Sequence, residues 1–100
     1  MIDFGRIVGF EWDDGNRRKS ADKQDVSPAE AEQVFLNKPL LLLDDTERSA
    51  IGQRFHAYGK TPTGRLLQIA FTLRQDATML RIISARPMSA RERARYGKET

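Results

Sequence analysis

The sequence predicts an α+β domain: a strand and two helices, then an antiparallel β-sheet meander, then a C-terminal helix. Three observations carry that reading. Two capping boxes, Ser27 to Glu30 and Ser89 to Glu92, mark helix starts. Between them, from Leu40 to Arg86, apolar runs of strand length are separated by turn residues. Ahead of the first box, Val8, Phe10 and Trp12 alternate as a half-buried strand does.

Taken in order, the first strand turns Glu11 away from its apolar face. Asp13 is placed to cap a polar helix over roughly Asp14 to Lys23, basic through Arg17, Arg18, Lys19 and Lys23. Such a run is more often a solvated face than a site. The second helix is sharper. Pro28 takes its first position, Val26 stands where a hydrophobic staple belongs, and Ala31, Val34 and Phe35 share one face. It is expected to end near Asn37-Lys38, because Pro39 disfavours a helical residue before it.

Leu40 to Leu43 reads as a buried strand, followed by a polar loop around Ser49 to Gln53. Arg54 to Lys60 is a strand with Phe55 and Ala57 on one face, and Thr61-Pro62-Thr63-Gly64 is a turn. Arg65 to Arg74 is apolar on both faces, so it needs cover on both sides. The N-terminal helices supply one cover; the C-terminal helix or a partner chain supplies the other. Strict alternation in Met79 to Arg86 puts Leu80, Ile82 and Ser84 on one face, with Arg81, Ile83 and Ala85 on the other. Pro87 stops the strand, and the last helix carries Arg91, Arg93 and Arg95.

Composition bounds the function. With 39% hydrophobic and 31% charged residues, the 100-residue chain is expected to fold as one domain over residues 1–100. No apolar run approaches membrane-spanning length, and the start, MIDFGRIVGF, lacks the basic and apolar regions of a signal peptide. The absence of cysteine excludes disulfides and thiolate metal sites and fits a cytoplasmic protein. Residues 1–50 hold seven Lys/Arg and eleven Asp/Glu, net −4; residues 51–100 hold ten and three, net +7. The second half therefore offers a basic surface for a polyanion, unless the two halves simply neutralise each other.

No standard catalytic constellation is present: no metal-ligand cluster, no Walker-type glycine loop and no Ser/His/Asp arrangement. Asp13-Asp14 and Asp44-Asp45 lack the spacing of a calcium loop. The single histidine, His56, sits mid-strand and reads as structural. Neither cofactor nor metal is expected. Arg81 and Arg86 lie within and at the end of an apolar strand, where a guanidinium needs an anionic partner. They are either ion-paired structural residues or a phosphate site, and taken alone the structural reading stands slightly ahead.

The residues also match a known family over nearly the whole chain. Phe10-Glu11-Trp12-Asp13, Lys23, Val26-Ser27, Glu30-Ala31 and Val34-Phe35 are its first anchors. Gly59, Thr61, Gly64-Arg65-Leu66-Leu67, Phe71-Thr72, Arg81 to Arg86, Glu92-Arg93 and Tyr96 follow. In this order and spacing the chain resembles the BrnT family of bacterial type II toxins, small ribonucleases with a RelE-like fold. It departs from the family at one motif. Where the family usually reads Lys-His-Gly-Val-Ser, this chain has Lys23-Gln24-Asp25-Val26-Ser27. Ser20 and Asn16 replace a common asparagine and lysine.

The resemblance implies cleavage of RNA with the 2′-hydroxyl as internal nucleophile, inhibiting translation without a metal. Such chemistry needs a base, cations for the phosphate oxygens and an acid for the leaving 5′-oxygen. On the family's pattern Lys23, Glu30, Arg65 and Arg81 are the candidate catalytic residues. Arg86, Arg91 and Arg93 are the candidates for binding RNA, and Arg65, Arg81 and Arg86 are expected to converge on one phosphate. Glu30, the candidate base, is already explained as a capping-box residue. The implied partners are RNA and a ribbon-helix-helix antitoxin of BrnA type, in a hetero-oligomer and away from any membrane. If the family histidine does proton chemistry, Gln24 makes this chain a weakened toxin that binds an antitoxin; if it caps or packs, activity survives.

Overall fold

Local sequence starts both helices. In the computed structural model, which describes residues 4–12, 26–44, 54–76 and 78–100, the Ser27 and Ser89 hydroxyls accept the backbone N–H of Glu30 and Glu92. Each glutamate reaches back to its serine N–H, which closes both capping boxes. The element order is β1 (Gly9–Trp12), α1 (Pro28–Val34), β2 (Leu41–Asp44), β3 (Arg54–Lys60), β4 (Leu66–Arg74), β5 (Met79–Pro87) and α2 (Ala90–Glu99), after a single 3-10 turn at Phe4–Arg6. The expected first helix over 14–23, with Lys23 and Gln24, lies outside the described residues, as does the expected loop over 49–53.

Helix α1 ends sooner than the proline predicts. The N–H groups of Leu36 and Asn37 bond three residues back, to Gln33 and Val34, so the last turn tightens before Pro39 is reached. Lys38-Pro39 is a cis peptide.

The five strands form one sheet in the order β1-β5-β4-β3-β2. Strands β2 to β5 pair antiparallel, as a meander should. The sheet as a whole is mixed, because β1 pairs parallel to β5 at its edge. The chain after α1 enters β2 at the opposite edge, and the meander back through β3 and β4 brings β5 alongside β1 in the same direction.

The core lies under α1. Ala31 and Val34 meet Phe55, Ala57, Leu67, Ile69, Phe71, Leu80, Ile82 and Ala85. Phe35 stands edge-on to Phe71, ring centroids 5.1 Å apart, and the Trp12 indole N–H donates to Glu32 at 2.9 Å. Gly59 permits this approach: a Cβ there would stand 2.8 Å from Val34 Cγ1. On the opposite face a smaller cluster of Tyr58, Met88 and Tyr96, with Leu41, Leu43 and Leu66, seats α2 over one corner. Val8, expected on the core face of the first strand, lies outside β1 and is 79% exposed.

One irregularity decides which side chains share a face. Phe71 pairs with Ile82 but Ala70 with Ser84, so β5 carries a bulge at Ile83. The extra residue switches the phase of the strand. Leu80 and Ile82 are buried before it and Ala85 after it, all on the core side. Arg81, Ser84 and Arg86 are thereby gathered on the other face. Strict alternation, which places Arg81 beside Ala85 and opposite Ser84, is corrected here.

Candidate functional site

The outer face of the sheet follows from register. One row runs Glu11, Arg81, Thr72, Arg54 across β1, β5, β4 and β3. The next runs Ser84, Ala70, His56, Leu43, and a third runs Arg86, Gln68, Tyr58, Leu41. Side chains in one row lie abreast, with strands about 4.8 Å apart and rows about 6.6 Å apart. This is a polar, basic surface in the middle of an otherwise apolar sheet, with α2 closing one end.

At that end Arg86 is held firmly. Its guanidinium donates to both carboxylate oxygens of Glu92, at 2.7 and 2.8 Å, and to the Pro87 carbonyl at 3.2 Å. The Arg86 hydrogen bonds, reinforced by the Ser89 N–H, outweigh burial and hold the Glu92 carboxyl at about 2. The Tyr58 hydroxyl donates to the same carboxylate at 3.5 Å, and burial, with Glu92 beside it, pushes the phenol up. Arg93 reaches the Met88 carbonyl at 2.9 Å, and Arg91 is exposed. Arg95 pairs with Glu99.

Glu30 and Arg65 lie elsewhere. Arg65 donates to both Glu30 oxygens, at 3.2 and 3.1 Å, tying the first turn of α1 to the start of β4. Burial raises the Glu30 carboxyl, but the Ser27 N–H and the Arg65 guanidinium outweigh it, leaving the group below its ordinary value. A carboxylate so stabilised is a weak proton acceptor. Arg65 is seven residues along β4 from Thr72, the partner of Arg81, a distance of about 23 Å. The two arginines also belong to opposite faces of the sheet. The structure therefore brings Glu30 together with Arg65, sets Arg81 and Arg86 on one face but four residues of β4 apart, about 13 Å, and does not bring Arg65, Arg81 and Arg86 to one phosphate.

Sequence reasoning passed over Arg54 and Thr72 and set His56 aside. The signal was present in the i, i+2, i+4 spacing of Arg54, His56 and Tyr58, which share a face once Phe55 and Ala57 are assigned to the core. A groove of about 300 Å³ between Ile7, Phe10, Phe35, Leu36 and Leu80 is apolar and carries no proton-transfer group. Among the described residues no group of three or more His, Asp or Glu side chains is placed to hold a metal.

The family model described as ribonuclease toxin, BrnT, of type II toxin-antitoxin system matches residues 12–92. The chain belongs to the BrnT family. A crystal structure of the Brucella abortus ribonuclease toxin BrnT shares the fold, with a TM-score of 0.58 over 81% of this chain and 96% of that one, at 20% identity. No curated protein sequence matches the chain. Membership of the BrnT family makes this a toxin of a type II toxin-antitoxin system, with an antitoxin as partner and RNA as substrate. Among the described residues no helix is long and apolar enough to cross a membrane.

Proposed function

We propose that this BrnT-family chain is a metal-independent endoribonuclease that cleaves RNA through its own 2′-hydroxyl and so stops translation in the cytoplasm. RNA carries its nucleophile with it, so the protein need supply only proton transfer and charge stabilisation. The observation that supports this reading is the outer sheet face, where the bulge at Ile83 sets Arg81 in line with Thr72 and Arg54 and on the same side as Arg86. Arg81 is the phosphate-stabilising residue in this reading, and Arg91 and Arg93 on α2 extend the surface along the RNA. Arg86 positions α2 through Glu92. Glu30 and Arg65 clamp α1 to β4, and Lys23 is a further candidate for contact with phosphate.

A RelE-like use of the sheet face and terminal helix is part of the same proposal. So is a ribbon-helix-helix antitoxin of BrnA type, which would neutralise the toxin in a hetero-oligomer. The test is the purified chain, freed of antitoxin, incubated with RNA in excess chelator. Cleavage leaving 2′,3′-cyclic phosphate and 5′-hydroxyl ends is expected. An inert protein that still binds its antitoxin would favour the weakened toxin that Gln24, in place of the family histidine, suggests.

A further inference from the structure

We infer that His56 is the catalytic base of this site, taking the proton from the RNA 2′-hydroxyl. The inference rests on the ribonuclease reading and adds to it the proton-transfer group that the arginines do not supply.

Its basis is position. His56 occupies the middle row of the outer face, in register across β4 and β5 with Ala70, which is buried, and Ser84, which is exposed. Arg54 stands two residues before it on the same strand face, and Arg81 stands abreast of Arg54 two strands away. The phosphate that these arginines would hold therefore lies one row from the imidazole, a step of about 6.6 Å between backbone positions. The chain has no other histidine, and histidine is the side chain whose ordinary titration falls near neutrality.

The ring is also oriented. The Gln68 side-chain amide, 2% exposed, is hydrogen-bonded to Nδ1 of His56. The amide nitrogen faces Nδ1. A half-turn of the amide exchanges two groups of nearly equal size and presents the oxygen instead, so that Nδ1–H donates and Nε2 carries the lone pair. In this assignment Gln68 is the positioning residue and Nε2 is the nitrogen that would meet the 2′-hydroxyl. Among the described residues, the other charged and titratable groups on this face are Glu11 on β1, Arg54, Tyr58 and Lys60 on β3, Arg81 and Arg86 on β5, and Glu92 on α2 beyond Tyr58. Leu43 on β2 and Thr72 on β4 bring no charge.

In the reaction Nε2 accepts the 2′-hydroxyl proton as the 2′-oxygen bonds to phosphorus. The P–O5′ bond breaks and the 5′-oxygen takes a proton from water, giving a 2′,3′-cyclic phosphate and a 5′-hydroxyl. The imidazolium returns its proton to the hydroxide so formed.

The experiment is single-turnover RNA cleavage across pH 5 to 9 by the parent protein and by His56→Gln and His56→Ala, with circular dichroism of each. A parent rate that rises with pH along a single limb is expected. Both variants should fall by about 10²-fold or more and lose that limb. The single imidazole also gives a single NMR signal. Its titration should match the kinetic limb, and a 2′-O-methyl RNA, which cannot be cleaved, should shift it. Folded variants that cleave like the parent with an unchanged pH profile would overturn the assignment while leaving the ribonuclease reading intact. A parent with no cleavage overturns both. If the variants do not fold, an imidazole signal in the parent that neither follows the kinetic limb nor responds to RNA overturns it.

Discussion

At the scale of single residues, the arginines divide by where they stand. Arg86 donates to both oxygens of Glu92 and Arg65 to both oxygens of Glu30, while Arg54 and Arg81 stand in one outer-face row with Thr72 between them, the row assigned to phosphate in the proposed function. Replacing Arg81 by Ala is expected to cost on the order of 10²–10³ in cleavage rate with the melting temperature nearly unchanged. Lys at this position should rescue in part, because it lacks the planar fork. Arg65→Ala should do the reverse, lowering the melting temperature while the folded fraction retains its rate. Equal rate losses in the two folded variants would place Arg65 back in the reaction centre. Glu92 is a stability residue with a pH signature. Its carboxyl is held at about 2, below the ordinary 4.5, so the stabilisation is complete above pH 4.5 and is lost as the pH falls toward 2. Urea midpoints measured from pH 7 to pH 2 should fall through that window, and the difference from Glu92→Gln should shrink over the same range.

At the scale of elements, two features carry more than their size suggests. Gly59 lets β3 approach α1, and a methyl group there meets Val34 at 2.8 Å. Overpacking of this kind costs about 1–3 kcal/mol, so Gly59→Ala should lower stability by that amount in a denaturant titration, and pairing it with Val34→Ala should recover part of the loss. The bulge at Ile83 is the other. Strict alternation with Ile83 retained would turn Ser84 and Arg86 into the core and Ala85 out of it, whereas deleting Ile83 removes the bulge and leaves Ile82 and Ala85 inward with Ser84 and Arg86 outward. The expected result of the deletion is a protein that keeps a sigmoidal melt, because the ladder becomes regular without moving a core residue outward. Loss of the cooperative melt in this variant would mean that the fold needs the bulge itself and not only the facing it sets. The turn from β4 to β5 is unusual too, since Gln75 and Asp76 adopt positive φ without glycine, whereas the β3–β4 turn uses Gly64 at φ 89°.

On the scale of the whole molecule, the charge asymmetry between halves becomes a division between faces. The basic second half supplies β3 to β5 and α2, and hence most of the outer face. RNA binding through phosphates should weaken with salt, and each outer-face arginine changed to Ala should flatten the log–log salt dependence by about 0.7. Arg81, Arg91 and Arg93 are the positions to measure by filter binding with a 2′-O-methyl RNA; an unchanged slope in all three would move the RNA off this face.

The sequence by itself determined the helix starts, the antiparallel β2–β5 order and the family. Each rests on local chemistry: a capping serine with its glutamate, a turn glycine, an apolar run of strand length. Lys23, Glu30, Arg65 and Arg81 came as candidates from the family's pattern, which carries no arrangement of them in space. Only tertiary structure decided that β1 joins parallel beside β5, because strand direction depends on where the intervening chain returns. It likewise decided that Arg65 and Arg81 stand on opposite faces, and that Arg81 and Arg86 share one. A one-residue bulge reverses every side chain beyond it, and the alternation of a single strand carries no trace of the partner strand that makes it.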